Sequence, residues 1–290
     1  MKKKWMKVIC MLLIVALAVG VCSAFAGCNQ KKLIGFDTEL AEAVAKELGV
    51  KIKFVEIDWD SKEAMLDAGS IDVVWNGFTY TTERDNGYFD DERNKQIGGL
   101  DFTEMYMENK QVAVVKKSEA SKYIGNAAFA GKKGCAEATS AGESVIKDVL
   151  NCECAQLGKQ LDVFTAVSAG TNDFGVIDLT MASEYILSSE AAYKDTLAVV
   201  QLEGVDVEYY AIGTKEGSNV RDALNYALKK LFDNGTAKSL AEKYSLGGNL
   251  YNGFTGTYTL PTDGAFAALK KNGTIVVGYT IFAPMNYFAE

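Results

Sequence analysis

The 290-residue chain contains no histidine. That removes histidine-centred triads, histidine metal ligands and histidine proton shuttles together. Proline is scarce: there are two, Pro261 and Pro284. Cysteine is sparse beyond Cys28, with only Cys135, Cys152 and Cys154. Two thiols in Cys-Glu-Cys spacing, with no further partners, make a weak metal site, so no metal and no cofactor is expected. Those cysteines read either as buried free thiols or as a disulfide between Cys135 and one of the pair. Long apolar runs are limited to one, near the N-terminus, so no second segment reaches bilayer length. Basic charge is in deficit, with 30 Lys+Arg against 38 Asp+Glu. Removing residues 1–27 takes Lys2, Lys3, Lys4 and Lys7 and no acids, which leaves 26 against 38, net −12. A surface that acidic disfavours nucleic acid and anionic membranes as partners.

What is present begins with a targeting segment. MKKKWMK is a basic n-region, VICMLLIVALAVGV an apolar h-region, and SAFAGC follows. This reads as a secretory signal over residues 1–27. Phe25-Ala26-Gly27-Cys28 resembles a lipobox, which implies lipidation of Cys28 and an anchor on the outer face of the cytoplasmic membrane; ordinary cleavage nearby is the alternative.

Beyond it, short apolar strands alternate with amphipathic helices. Strands are expected at Lys51–Ile57, Ile71–Trp75, Val112–Val115, Gly175–Ile177, Leu197–Val200, Tyr209–Ile212 and Thr274–Val277. Leu40, Val44 and Leu48 form a helical stripe, with Asp37 as N-cap and Gly49 as stop. Val220, Leu224, Ala227, Leu228 and Leu231 form another, and Ala265–Lys271 a shorter helix. Residues 246–264, rich in Gly, Asn and Thr, read as a linker. Such alternation predicts an α/β fold with largely parallel sheets, whose ligands bind beyond the carboxyl ends of strands.

The residues after those ends are therefore the candidates. Arg84 carries a planar fork suited to a carboxylate, or is a solvated helix residue. Gly77 permits close backbone approach and Thr79 offers a hydroxyl. Around Thr139 and Ser140 a helix start offers N–H groups to an anion, or Ser140 is an ordinary cap. Asp178 can pair with an ammonium or cap the next helix. Trp59 and Phe282 can clamp an apolar stem, or simply pack.

Together these segments resemble the extracellular solute-binding proteins of polar amino-acid ABC transporters. Ile34-Gly35-Phe36-Asp37-Thr38-Glu39-Leu40 is similar to that family's GFD-x-DL signature. Gly77-Phe78-Thr79-Tyr80-Thr81-Thr82-Glu83-Arg84 is similar to its G-x-T-x-T-x-x-R, Leu100-Asp101-Phe102-Thr103 to its DFS/T segment, and Val176-Ile177-Asp178 to its V-V-D. The resemblance implies a two-lobed periplasmic-binding-protein type II fold that binds a free amino acid, is not an enzyme, and delivers its ligand to a permease. Arg84 would hold the α-carboxylate with donors near Thr139 and Ser140. Asp178 would hold the α-ammonium with Gly77 and Thr79. Asn76, Tyr279, Trp59 and Phe282 would complete the site.

Tyr279, where members favouring basic ligands often carry Asp, points to an uncharged polar side chain, with glutamine or cystine first. Glu137 is expected to face solvent or to support from behind, with a role facing a cationic side chain, or as the acid-base group of a lyase, as the alternative. In the family a segment like Gly273–Pro284 precedes GFD-x-DL; here it follows everything else. The chain thus reads as circularly permuted, with its first strand carried to the end through a linker of about 19 residues that can reach about 60 Å. Lobe one is expected over 29–111 and 207–290 and lobe two over 112–206, hinged near Val112–Lys116 and Tyr209–Gly213, as a monomer. A lyase of the cyclohexadienyl or arogenate dehydratase type and a ligand-sensing ectodomain are the rival readings.

Overall fold

Apolar β-branched runs bounded by polar turns become strands here, and two five-stranded sheets result. The computed structural model describes residues 31–91 and 94–289. The signal-like segment and Cys28 lie outside the described residues. In chain order the strands are β1 (Leu33–Ile34), β2 (Lys51–Glu56), β3 (Val73–Val74), β4 (Tyr88–Asp90), β5 (Lys95–Ile97), β6 (Leu100–Phe102), β7 (Met107–Asn109) and β8 (Gln111–Lys116). They continue as β9 (Lys133–Glu137), β10 (Glu153–Leu157), β11 (Phe174–Asp178), β12 (Leu197–Val200), β13 (Glu208–Tyr210), β14 (Gly213–Lys215), β15 (Thr274–Tyr279) and β16 (Tyr287–Phe288).

The first sheet runs β2-β15-β3-β14-β6 and the second β10-β9-β11-β8-β12. Strand β15, expected as a buried strand, lies inside the first sheet. It is parallel to β2, with Ile275 opposite Ile52 and Val277 opposite Phe54, and parallel to β3, with Val277 opposite Val73. Its alternation decides what it buries: Ile275 and Val277 are inside the core, while Val276 is half-buried, not fully buried. Antiparallel pairing of β1 with β16 sets Leu33 opposite Phe288 and Ile34 opposite Tyr287.

The chain crosses from one sheet to the other twice. It leaves the first sheet after β6, passes through β7, and enters the second at β8; it returns from β12 through β13 to β14. Strands β7 and β13 pair antiparallel with each other, Asn109 opposite Glu208 and Met107 opposite Tyr210. The crossings are therefore Met107–Asn109 and Glu208–Tyr210. Val112–Lys116, read above as one crossing, is instead part of β8, a central strand whose Val112, Val114 and Val115 are fully buried.

The helix Phe36–Leu48 buries Phe36, Leu40, Val44 and Leu48 against the helix Val220–Asp233, which buries Val220, Leu224, Ala227, Leu228 and Leu231. Gly49 ends the first helix in the left-handed conformation, as expected. Its start differs. Gly35 is the N-cap, Asp37 lies one step inside the helix, and its carboxylate is fully buried against the amide of Gly77 and the hydroxyl of Tyr106. Residues 246–264 contain no regular strand or helix before Gly264, as read, but they are packed down. Phe254 is buried against Phe232 and Tyr258, and Gly253 donates to the Met105 carbonyl at 3.0 Å. Among the described residues Cys135, Cys152 and Cys154 form no disulfide, and burial pushes Cys135 up to about 12.

Candidate functional site

Between the carboxyl ends of the two sheets lies a cleft lined by Trp59, Asn76, Gly77, Thr79, Arg84, Glu137, Ser140, Ala141, Gln160, Asp178, Thr280 and Phe282. Eight of the ten residues singled out in the sequence are among them. Gly77, Thr79 and Arg84 follow β3, Glu137 ends β9, and Asp178 ends β11.

Gly77 holds φ +57. A Cβ there would stand 2.6 Å from the Phe282 ring and 3.0 Å from the Tyr210 ring, so both backbone and space require glycine. Arg84 sits in the first turn of Thr82–Asn86, yet is 9% exposed, which settles against the solvated reading. Its guanidinium lies 4.8 Å from the centre of the Phe78 ring and donates to the carbonyls of Thr79 at 2.6 Å and Thr139 at 3.1 Å. Burial lowers its proton affinity but the group stays a cation. Trp59 packs edge-on against Phe78, at 5.1 Å between ring centres, and is 6% exposed.

Asp178 occupies the N-cap position of Leu179–Ala182 but makes no cap bond. Its carboxylate instead accepts from Gln111 Nε2 at 2.8 Å, Gln160 Nε2 at 2.6 Å, the Tyr210 hydroxyl at 2.9 Å, and Asn109 Nδ2. Asn109 and Gln111 also donate to Glu208, at 2.5 and 2.6 Å, so two amides straddle a pair of carboxyl groups. Burial lifts both acids, and Glu208 is pushed up to about 8 by burial and then by Asp178 beside it. Four donors face Asp178 and two face Glu208, so the proton rests on Glu208 and the charge on Asp178.

The turn Ala138-Thr139-Ser140 is the strained part of the site. Thr139 has φ +60, uncommon for a β-branched residue, at a cost on the order of 1–3 kcal/mol. Four contacts hold it there. Its amide donates to Glu143 Oε2 at 2.5 Å and its carbonyl accepts from Arg84. Its hydroxyl donates to the Ala138 carbonyl at 2.7 Å and accepts from Lys62 Nζ at 3.1 Å. Thr139 thus serves the cleft through these contacts and is not among the lining residues. Ser140 lines the cleft and also caps its helix, accepting from the Glu143 amide at 3.2 Å.

Two other expectations shift. Tyr279 is outside the cleft: its ring meets Phe54 edge-on at 6.0 Å, and the next residue, Thr280, lines the site instead. Successive strand side chains point to opposite faces, so a one-residue difference changes sides. Asn76 lines the cleft, but its amide is spent on the terminal loop, donating to the Thr280 carbonyl at 2.9 Å and Asn286 Oδ1 at 2.8 Å, and accepting from the Thr280 amide at 3.0 Å and hydroxyl at 2.6 Å. It positions that loop and with it Phe282.

Lys62, Glu137 and Gln160 were not among the predicted site residues. Lys62 is fully buried, 4.9 Å from the Trp59 ring centre, and burial lowers it to about 8. Glu137 is not solvent-facing: it is 3% exposed, and burial pushes it up to about 8. The one signal available for it was its place at a strand's carboxyl end.

The sequence profile of the bacterial extracellular solute-binding proteins, family 3, matches residues 17–247. The arginine-binding extracellular protein ArtP of Bacillus subtilis is 25% identical, covering 74% of this chain and 79% of its own length. The L-cystine-binding protein TcyJ of Escherichia coli K12 is 27% identical, covering 74% and 76%. Among solved structures, an ancestral arginine-binding protein bound to glutamine superposes with a TM-score of 0.63 at 30% identity, covering 74% of this chain and 89% of that one. With more than half of its length matched, the chain belongs to the bacterial extracellular solute-binding proteins of family 3.

Proposed function

We propose that the protein binds a free α-amino acid in the cleft, closes its two lobes around it, and presents it to an ABC permease. The observation that carries this is the placement of two opposite charges in one small cleft: Arg84 after the first sheet's β3, Asp178 at the end of the second sheet's β11. A guanidinium is a bidentate partner for the α-carboxylate. Asp178, pre-ordered by four donors, is a partner for the α-ammonium, with Gly77, Thr79 and Ser140 around it. Trp59 and Phe282 supply apolar walls for the stem. The glutamine-or-cystine expectation rested on Tyr279, which stands outside the cleft, so the side-chain choice falls to other residues. Closure follows from a ligand holding both lobes more tightly when they are near. Ligand is expected to raise the melting temperature; at 1,000 times its dissociation constant it stabilises by about 4 kcal/mol. A thermal-shift screen of all amino acids and cystine tests this, and sugar or peptide binding with no amino-acid response would sink it.

The chain order is read here as a circular permutation, supported by the parallel insertion of β15 between β2 and β3 and by the β1–β16 pairing. The described residues are read as a monomer, which light scattering at micromolar concentration checks. Secretion and a lipid anchor at Cys28 rest on the sequence pattern alone. Release from membranes by a Cys28→Ser change tests them.

A lyase reading has one supporting observation, the buried Glu137 in the cleft, held near pH 8 and so protonated at neutral pH as an acid catalyst would be. Binding without turnover is favoured because Asp178 Oδ1 takes three donors while Oδ2 accepts from Gln160 alone and keeps room for an ammonium. Incubation with arogenate or prephenate separates the two: product formation would replace the binding reading.

A further inference from the structure

The clamp of Arg84 and Asp178 accounts for the parts common to every α-amino acid and leaves the ligand's side chain unread. Six buried side-chain atoms among the described residues make no hydrogen bond, and Glu137 Oε1 is the one that belongs to a cleft-lining residue. A buried acceptor left without a donor costs on the order of 1–3 kcal/mol, so it calls for a partner.

No neighbouring cation is free to supply it. Lys62 Nζ has three protons and three oxygens around it: the Trp59 carbonyl at 3.1 Å, Thr139 Oγ1 at 3.1 Å and Glu63 Oε1 at 3.1 Å. Arg84 is turned to two carbonyls. The charge count points the same way. A zwitterion offsets Arg84 and Asp178, and Glu63 offsets Lys62. Glu137, kept protonated by burial, remains as the one acid there with no cation of its own to ionise it. The charges facing it are Lys62 after the first sheet's β2, Asp178 on β11, and Asp162 on the helix Gln160–Ala169, so two acids and one already paired base surround it.

We infer that Glu137 reads the ligand's side chain, and that the amino acid taken is one whose side chain ends in a cationic nitrogen. The inference rests on the α-amino-acid reading of the same cleft. A guanidinium or ammonium donates to Oε1 and favours the ionised carboxylate, whose proton passes to solvent, while its methylene stem lies along Trp59 and Phe282. A terminal amide donates but brings no charge and ranks second. An aliphatic side chain leaves Oε1 dry and bare. A carboxylate side chain meets Glu137 and Asp178 and is rejected.

The test is titration calorimetry of the whole mature protein with arginine, lysine, glutamine, leucine and glutamate, repeated on Glu137→Gln and Glu137→Asp. Wild type should hold arginine or lysine at least about 10-fold more tightly than glutamine. Glu137→Gln should lose about 10- to 100-fold for the cationic ligand and under about 3-fold for glutamine. Glu137→Asp, which keeps the charge, should keep the rank order, and circular dichroism checks that each variant folds. If Glu137→Gln does not fold, the rank order in wild type and in Glu137→Asp decides. A cation preference that survives in folded Glu137→Gln, or a wild type that prefers uncharged or acidic ligands, overturns this inference and leaves the Arg84–Asp178 clamp standing. A wild type that binds no amino acid overturns the amino-acid reading itself.

Discussion

The two sheets are the same object assembled from differently ordered chain. In the second, β9 lies between parallel neighbours β10 and β11, then β8 and β12 follow antiparallel. In the first, β15 lies between parallel neighbours β2 and β3, then β14 and β6 follow antiparallel. Position for position the directions agree. Strand β9 precedes both of its neighbours in the chain, whereas β15 follows both. A strand's place is therefore set by its buried faces and register, not by its rank in the chain. Ile275 and Val277 face the core of the first sheet as Val112 and Val114 face that of the second.

The sharpest way to break the comparison is to remove β15. Deletion of residues 265–290 takes out a central strand, uncovers β2 and β3, and removes Phe282. The product is expected to be insoluble or molten, with near-ultraviolet dichroism and ligand binding both lost. A folded, binding product would show that β15 is dispensable. Next in size are the charges contributed by each lobe. Arg84→Ala and Asp178→Ala should each weaken amino-acid binding by about 2–5 kcal/mol by calorimetry, because each leaves a buried ligand charge unpaired. Loss from only one of the two would mean that the ligand is held by one lobe alone.

A matched core pair is gentler. Val277→Ala in β15 and Val114→Ala in β8, both fully buried, should each cost about 1–3 kcal/mol in urea unfolding. A negligible value for Val277→Ala alone would place β15 outside the cooperative core. The smallest effect is in pH. Folding raises Asp37 to about 7, and Glu137 and Glu208 to about 8. The folded state therefore keeps protons that the unfolded chain releases near pH 4, and stability falls as pH rises from about 4 towards 8. Lys62, lowered to about 8, acts in the opposite direction only above that pH. Without ligand, the melting temperature should be lower at pH 7.5 than at pH 5. Glu208→Gln should flatten that slope. A melting temperature that rises across this range would refute the burial argument.

Local features of the fold were legible in the sequence. The stripe Val220–Leu231, the stop at Gly49 and the strand at Thr274–Tyr279 each follow from short-range periodicity and turn chemistry. Arg84 and Asp178 were legible because strand ends are where such sheets bind. What could not be read was register and cross-chain burial. Tyr279 and Thr280 exchange roles through the parity of one strand. Asp37 looks like a cap until Gly77 and Tyr106 are folded onto it. Lys62 meets Thr139 across 77 positions of sequence, and Glu208 gains its meaning only when Asn109 and Gln111 bring it to Asp178. Nothing local marks any of these.

On the proposed reading, the placement of Arg84 after the first sheet's β3 and of Asp178 at the end of the second sheet's β11 makes the cleft a coincidence detector. A molecule with only a carboxylate satisfies one wall, and a simple amine satisfies the other. Neither gives the lobes a reason to stay together. Only a molecule carrying both charges, a few bonds apart, joins the two inputs, so closure reports their conjunction. Common carboxylic acids and amines outside the cell can then occupy half the cleft without producing the closed shape, and the shape itself becomes the message that an amino acid has been caught.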